Sequence, residues 1–336
     1  MTRVSIGLPV YNGQNYIAEA IASVLSQDFT DWELLISDNA STDQTESICR
    51  SFANRDKRIR YSRISQNRGA AWNFNHVFEL STGEYFRWLS HDDVWMPTLL
   101  SESVSVLDNH SDVILCSTHT GAIDGNNYQI LDADGVHDFV VQGITAKSER
   151  LRLAAIQSHN PAQRYLGVLL HSLRCYEVYG LVRRNIMELT QLHPHYCGGE
   201  KVLVAELALR GRFHEIPNSL FFARFHDSRF TANNSLAEQA EHMRPGSGGR
   251  LVLPHQYRAT LGYLYLIAKL RLPMTQRAQC LVAWCRFVCQ WSKWMSIAAN
   301  TLLHRGVSTR LPPQLRRGKE ISFQLPDMPC LKSQTV

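Results

Sequence analysis

Between the apolar pair Trp88-Leu89 and the helix-entry dipeptide Met96-Pro97 lies Ser90-His91-Asp92-Asp93. Neighbouring carboxylates repel, and each is costly to take out of water unless a cation or a hydrogen-bond donor meets it. Such a pair at a strand end suits a divalent ion bridging a diphosphate, because Mg2+ or Mn2+ takes one or two protein carboxylates and completes its shell with phosphate oxygens. The competing reading is a solvated turn with an aspartate helix cap. The same choice recurs in Ser37-Asp38-Asn39-Ala40-Ser41-Thr42-Asp43. There an aspartate accepts from a base or ribose, or else Asp38 forms the turn and Asp43 caps the next helix. Pro9-Val10-Tyr11-Asn12-Gly13 is a turn that leads into a helix. In Asn67-Arg68-Gly69, Arg68 can reach a phosphate and Gly69 lets another backbone pass closely, or the string is simply a helix entrance.

These strings are positioned by an alternation of short apolar runs and helical periods. Strands are predicted at 4–10, 32–37, 59–64, 85–89 and 113–117, with helices at 15–27, 43–54, 70–80 and 98–109 between them. Strand–helix alternation builds a mostly parallel sheet with helices on both faces, and its ligands sit at the carboxyl ends of the strands. Every polar string above follows a strand. Residues 121–165 are looser, with DGNN and DADG turns. A strand-like run covers 176–182, and helices are predicted at 202–210, 257–270 and 276–303.

The chain of 336 residues is 44% hydrophobic and 19% charged, enough for a large core. Its net charge of +5 and pI near 8.8 fall short of a dedicated nucleic-acid binder but suit a phosphate-bearing partner or an anionic membrane. Eight cysteines without a CxxC pair argue against a zinc ribbon or a disulfide framework, and for a reducing cytoplasm. No secretory leader and no apolar run of spanning length is visible.

Taken together, VSIGLPVYNG, LLISDNASTDQT, NRGAAWNFN, GEYFRWLSHDDVWMP and GGEKVLVAELALRGRFHEIP occur in the order seen in inverting glycosyltransferases of family 2, which have the GT-A fold. The resemblance covers roughly residues 3–230. It implies an α/β, Rossmann-like, mostly parallel sheet flanked by helices, with a C-terminal helical extension. It also implies transfer of a sugar, as in a hexosyltransferase, from a nucleotide-diphosphate sugar to a hydroxyl acceptor (glycan, lipid or small molecule), as in cell-envelope polysaccharide synthesis. The implied donor contacts are Pro9, Tyr11, Asn12, Asp38, Asp43, Asn67, Arg68, Gly69 and Asp93. The family's metal motif is Asp-x-Asp. Here Ser90 stands at its first aspartate and Asp92 at its last, the direct contact to Mn2+ or Mg2+. The family's catalytic base opens a pattern resembling Asp-Trp-x-Leu-x-x-Arg-Leu-Ala-x-x-Gly. The line Glu200-Lys-Val-Leu-Val-Ala-Glu-Leu-Ala-Leu-Arg-Gly211 puts Glu200 in that place, one methylene longer than the expected aspartate. A glutamate at a helix start can take a proton from a hydroxyl, or it is merely a first-turn carboxylate. Phe221-Phe-Ala-Arg-Phe-His-Asp227 resembles the family's Arg-x-His segment, implying His226 as a metal ligand and Arg224 as a phosphate contact.

The predicted organisation is a transferase domain over 1–228 (nucleotide half 1–120, acceptor and catalytic half 121–228), a loop or linker at 229–250, helices over 251–304 and a basic, disordered tail from 305 to 336. His193, His195 and Cys197 read as an acceptor-side loop rather than a zinc site, and Cys280, Cys285 and Cys289 as core packing. Leu281, Trp284, Cys285, Val288, Met295 and Leu302 form a stripe that packs on the transferase domain or, as the sharper alternative, rests on the inner face of a membrane with the help of Arg305, Arg310, Arg316 and Arg317. The two departures from the family pattern, Ser90 and Glu200, keep open a protein of this fold that binds nucleotide sugar but turns it over weakly. A nucleotidyltransferase would need a Gly-rich triphosphate loop, which PVYNGQN lacks.

Overall fold

The computed structural model describes residues 2–131, 146–172, 175–226, 235–247, 255–292, 294–295, 299 and 316–322. The DADG turn, the ends of the expected linker at 229–234 and 248–250, Leu302, and the tail residues Arg305 and Arg310 lie outside these.

Four strands, β1 (Val4–Val10), β2 (Trp32–Asp38), β3 (Ile59–Arg63) and β4 (Tyr85–Trp88), run parallel in the order β3-β2-β1-β4. All of β1, β2 and β4 is buried, as expected of strands covered on both faces. Three crossover helices supply the cover: α1 (Ile17–Leu25), α2 (Thr45–Arg55) and α3 (Ala70–Glu79). In α1, Ile17, Ala20, Ile21 and Val24 recur at helical spacing, and all four are buried. The two-residue β5 (Val94–Trp95) and α4 (Leu99–Asn109) follow.

Beyond β4 the sheet becomes mixed. β6 (Val113–Asp124) runs past the predicted 113–117, and β7 (Tyr128–Leu131) pairs with it through the DGNN turn. Helices α5 (Ala146–Ile156) and α6 (Pro161–His171) come next, the second capped by Asn160, which accepts the Ala162 N–H. The run at 176–182 is not one strand: Tyr176–Tyr179 is a 3-10 turn, Gly180 interrupts, and β8 is only Leu181–Arg183, antiparallel to β4 and β6. A short α7 (Arg184–Met187), then α8 (Glu200–Arg210), lead into the long β9 (Arg212–Phe225), which pairs parallel with β6 and antiparallel with β5.

Part of the expected linker is ordered. Residues 236–243 form α9 (Leu236–Met243), begun by a reciprocal capping box between Ser235 and Glu238. Helices α10 (His255–Lys269) and α11 (Met274–Val288) form the C-terminal extension, so the predicted 276–303 helix breaks at Cys289. Part of the tail is also ordered: β10 (Arg316–Glu320) pairs antiparallel with β7.

Candidate active site

The loops after β1 and β2 are stitched to one another. Asn12 and Ala40, both at positive φ, turn the two chains sharply. The Asn12 N–H donates to Ser41 Oγ at 2.9 Å, and the Thr42 N–H donates to Asn12 Oδ1 at 2.8 Å. Asp43 Oδ2 accepts the Gln14 N–H, and its Oδ1 accepts the Thr45 N–H and hydroxyl, so it supports its loop from just before α2, whose N-cap is Gln44. Asp38 is fully buried: Oδ1 accepts the Ser41 N–H at 2.7 Å and Oδ2 accepts the Tyr61 hydroxyl at 2.6 Å. Asn73, also buried, accepts the Ser37 hydroxyl and donates to the carbonyls of Val10 and Ser37, locking the ends of β1 and β2 together. Pro9 sits inside β1, opposite Ser37, whereas Tyr11 and Asn12 are exposed at the mouth.

The third loop joins this edge through amide pairs. Asn39 donates to Asn67 Oδ1 and to the Gly69 carbonyl, and accepts the Arg68 N–H. Arg68 is exposed, its guanidinium 4.2 Å from the Trp72 ring centroid. Gly69 caps α3 at φ +88°, and an added β-carbon would lie 2.5 Å from the Met243 carbonyl oxygen. The backbone passing close to Gly69 is therefore the end of α9, an element that sequence periodicity did not reveal.

After β4 the serine, histidine and two aspartates take separate roles. Ser90 donates to the Tyr179 hydroxyl at 3.0 Å, and the His91 ring packs against Gly13. Asp93 is 3% exposed and accepts the Arg224 backbone N–H at 3.0 Å, tying this turn to β9. Asp92 Oδ2 stands 3.2 Å from His226 Nε2, and the His226 ring lies against Tyr16. Arg224 is not a solvent-facing phosphate contact. It is wholly buried, donating to the Asp92 carbonyl, Glu19 and Asn127 with Tyr16 beneath it. Its charge is answered by Glu19 on α1, 205 residues away in sequence, which is why local sequence did not expose the role. Arg224 holds in place both residues that flank the Asp92–His226 pair.

Could that pair hold a divalent ion? Ligands in neighbouring positions of an octahedral ion with bonds of roughly 2.1 Å sit roughly 3.0 Å apart. The 3.2 Å between Asp92 Oδ2 and His226 Nε2 matches that spacing, and both side chains are partly buried. Among the described residues no group of three or more His, Cys, Asp or Glu is placed to hold a metal.

Glu200 opens α8, 28% exposed. Its Oε2 is 3.9 Å from Nε2 of His193, whose Nδ1 is 3.0 Å from the Pro194 carbonyl. Burial lowers the pKa of His193, and the Glu200 carboxylate opposes that shift. Asn75 fixes the His193 backbone from both sides, accepting its N–H and donating to its carbonyl. Phe74 links this cluster to the sheet: its ring meets His193 at 5.4 Å, and its carbonyl accepts the indole N–H of Trp88 at the end of β4. His193 was legible only as a loop residue, since the turn that folds it back on Glu200 carries no periodic signal.

Comparison with known proteins gives the following likenesses. The family described as Glycosyl transferase family 2 matches residues 5–167. An uncharacterized glycosyltransferase of Rickettsia typhi is 37% identical over 116 residues, 34% of this chain and 35% of the relative. The Bacillus subtilis glycosyltransferase TuaG, named for teichuronic acid biosynthesis, is 34% identical over 108 residues, 32% of this chain and 43% of the relative. The chain thus spans well under half the length of these curated relatives. The crystal structure of S. aureus TarS 1-349 superposes with a TM-score of 0.57 at 17% identity, covering 85% of this chain and 71% of that one. The same protein in complex with UDP-GlcNAc gives a TM-score of 0.57. These superpositions show a shared GT-A fold.

Proposed function

On the premise that residues 5–167 belong to glycosyltransferase family 2, we propose that the protein transfers a sugar, with inversion, from a nucleotide-diphosphate donor to a hydroxyl acceptor. The observation that carries the reading is that a carboxylate–imidazole pair (Asp92 and His226) and a half-open carboxylate beside an imidazole (Glu200 and His193) flank the end of one strand, β4. Tyr11, Asn12, Asn67 and Arg68, exposed around the preceding strand ends, receive the nucleotide. Asp38, Asp43 and Asp93 hold those loops in shape from beneath. A divalent cation bound by Asp92 and His226 would neutralise charge gathering on the departing diphosphate. Glu200 takes the acceptor proton as the hydroxyl attacks the anomeric carbon from the face opposite the diphosphate. His193, its Nε2 turned to Glu200, limits the ways that carboxyl can rotate. TarS in complex with UDP-GlcNAc supports a uridine donor, and TuaG supports a cell-envelope glycan as acceptor.

The test has two arms. A thermal-shift panel of nucleotide sugars with and without Mn2+ identifies the donor, since a ligand bound only by the native state raises the melting temperature. Donor turnover is then measured for the wild type, Asp92→Ala and Glu200→Gln. Donor binding that needs Mn2+ and is lost in Asp92→Ala, with turnover lost in Glu200→Gln, is the expected result. Full turnover in either variant removes that residue's role, and donor binding without turnover across an acceptor panel makes the protein a binder.

A further inference from the structure

The C-terminal helices are built unlike the rest of the surface. In α10 the core side is Ala259, Tyr263, Leu266 and Ile267, all buried. The opposite side carries Tyr257, Leu261 and Tyr265 at spacings of four, exposed, with Leu261 70% accessible. In α11, Cys280, Ala283 and Phe287 are buried while Met274, Leu281 and Val282 face solvent. The sequence stripe is divided: Trp284 and Val288 are partly buried against the core, whereas Leu281, Cys285 and Met295 are exposed. Nor do the cysteines act alike, since Cys280 is buried whereas Cys285 and Cys289 are exposed. Trp291, 72% exposed, extends the apolar surface beyond the helix. The helices lie side by side, joined by the Trp284 indole N–H to the Thr260 carbonyl and by the edge-on pair Tyr263–Phe287. Apolar exposure on this scale marks a surface that meets something.

Charge says what it meets. From residue 242 to 319 the sequence has no Asp or Glu and thirteen Lys or Arg. The whole chain is only +5, so the remainder carries a net charge of −8. Part of this positive charge is answered internally, Lys269 by Glu206 at 4.0 Å and Arg317 by Asp124 at 3.0 Å. Arg271, in the link between the two helices, and Arg286, on α11, are exposed. A second copy docking on the same face would bring two positive surfaces together, and nucleic acid would leave the aliphatic stripe unburied. We propose that the outer sides of α10 and α11 dock on an anionic lipid bilayer, with Leu261, Tyr265, Leu281, Val282 and Trp291 entering the headgroup boundary and Arg271 and Arg286 meeting lipid phosphates. The contact belongs to α10 and α11, because part of the basic tail is engaged in the sheet through β10.

The test is flotation of the full chain with vesicles of phosphatidylcholine alone and of equal parts phosphatidylcholine and phosphatidylglycerol, the latter at low and high salt. The chain floats with the anionic vesicles, less at high salt, and stays behind with the neutral ones. Reversing Arg271 and Arg286 to Glu weakens binding by about 25-fold or more, at about fivefold per charge lost. Leu281→Glu combined with Val282→Glu weakens it similarly. The arginine variant alters only exposed side chains, so it decides the outcome even if the apolar variant folds poorly. Equal binding to neutral vesicles, no binding to either, or binding untouched by the arginine reversal overturns the proposal. So does a light-scattering mass of two chains that the Leu281/Val282 variant halves, which would make the surface a dimer interface.

Discussion

At the ends of β2 and β4, Asp38, Asp43 and Asp93 have given oxygens to the protein and leave only Asp92 facing His226 there, whereas the carboxylate that opens α8 is not bonded in this way. Asp38 is spent on Ser41 and Tyr61, Asp43 on Gln14 and Thr45, and Asp93 on Arg224. Glu200 meets only the His193 ring at ion-pair distance among the described residues. The first edge is therefore pre-shaped, and its chemistry is inseparable from its fold. At the second edge, reactivity and stability are separable. Pre-shaping suits a nucleotide, whose recognition gains from loops that need no further ordering, and an open carboxylate suits a group that must gain and lose a proton.

Glu200→Gln breaks that comparison most sharply. Turnover falls by about 10²–10⁴, the usual worth of a general base, while the melting temperature stays within about 2 °C of wild type because no buried bond is lost. Paired turnover and melting measurements check this, and a large melting loss would place Glu200 among the structural carboxylates instead.

Acid tests the first edge. His242 on α9 is pushed down to about 4 by burial, with His91 adding to the shift. An unfolded histidine titrates near 6.5, so between pH 6.5 and 4 the unfolded chain binds a proton that the folded chain refuses. The stability contribution is complete above pH 6.5 and is lost as pH falls towards 4, by up to about 3 kcal/mol. Thermal melts across that range should show the decline, and His242→Gln should flatten it. Asp93→Ala follows at about 1–3 kcal/mol, because the buried Arg224 N–H loses its acceptor. It should lower the melting temperature and turnover together, unlike Glu200→Gln.

This difference between the edges also explains what was legible. The strands β1, β2 and β4 are buried, largely apolar runs, and Asp38, Asp92 and Asp93 fall at or just past the ends of β2 and β4, whereas β3 (IRYSR) is half polar. Where the backbone departs from one period, reading stopped. β6 continues through Thr118, His119 and Thr120, polar residues at register shifts against β9 that hide its length. Gly180 splits an apolar run into a turn and a strand. Residues 280–285 of α11 are an unbroken apolar run, CLVAWC, so spacing alone could not choose its buried face. Long-range pairs such as Glu19–Arg224 leave no local trace at all.

His193 is the smallest and most discriminating case. It lies seven residues before Glu200 and is returned to it by the Pro194–Gly199 turn, in which Gly198 adopts φ +79°. Its Nδ1 lies 3.0 Å from the Pro194 carbonyl and its Nε2 3.9 Å from the Glu200 carboxyl, so the buried ring stands beside that carboxyl and limits its rotation. Removing the ring in His193→Ala frees the Glu200 side chain to rotate away, and misplacement on the ångström scale slows transfer. Turnover should fall about tenfold, well short of Glu200→Gln, with KM for the donor unchanged because the donor edge is untouched. A loss confined to donor KM would instead tie His193 to the first edge and erase the separation between the two.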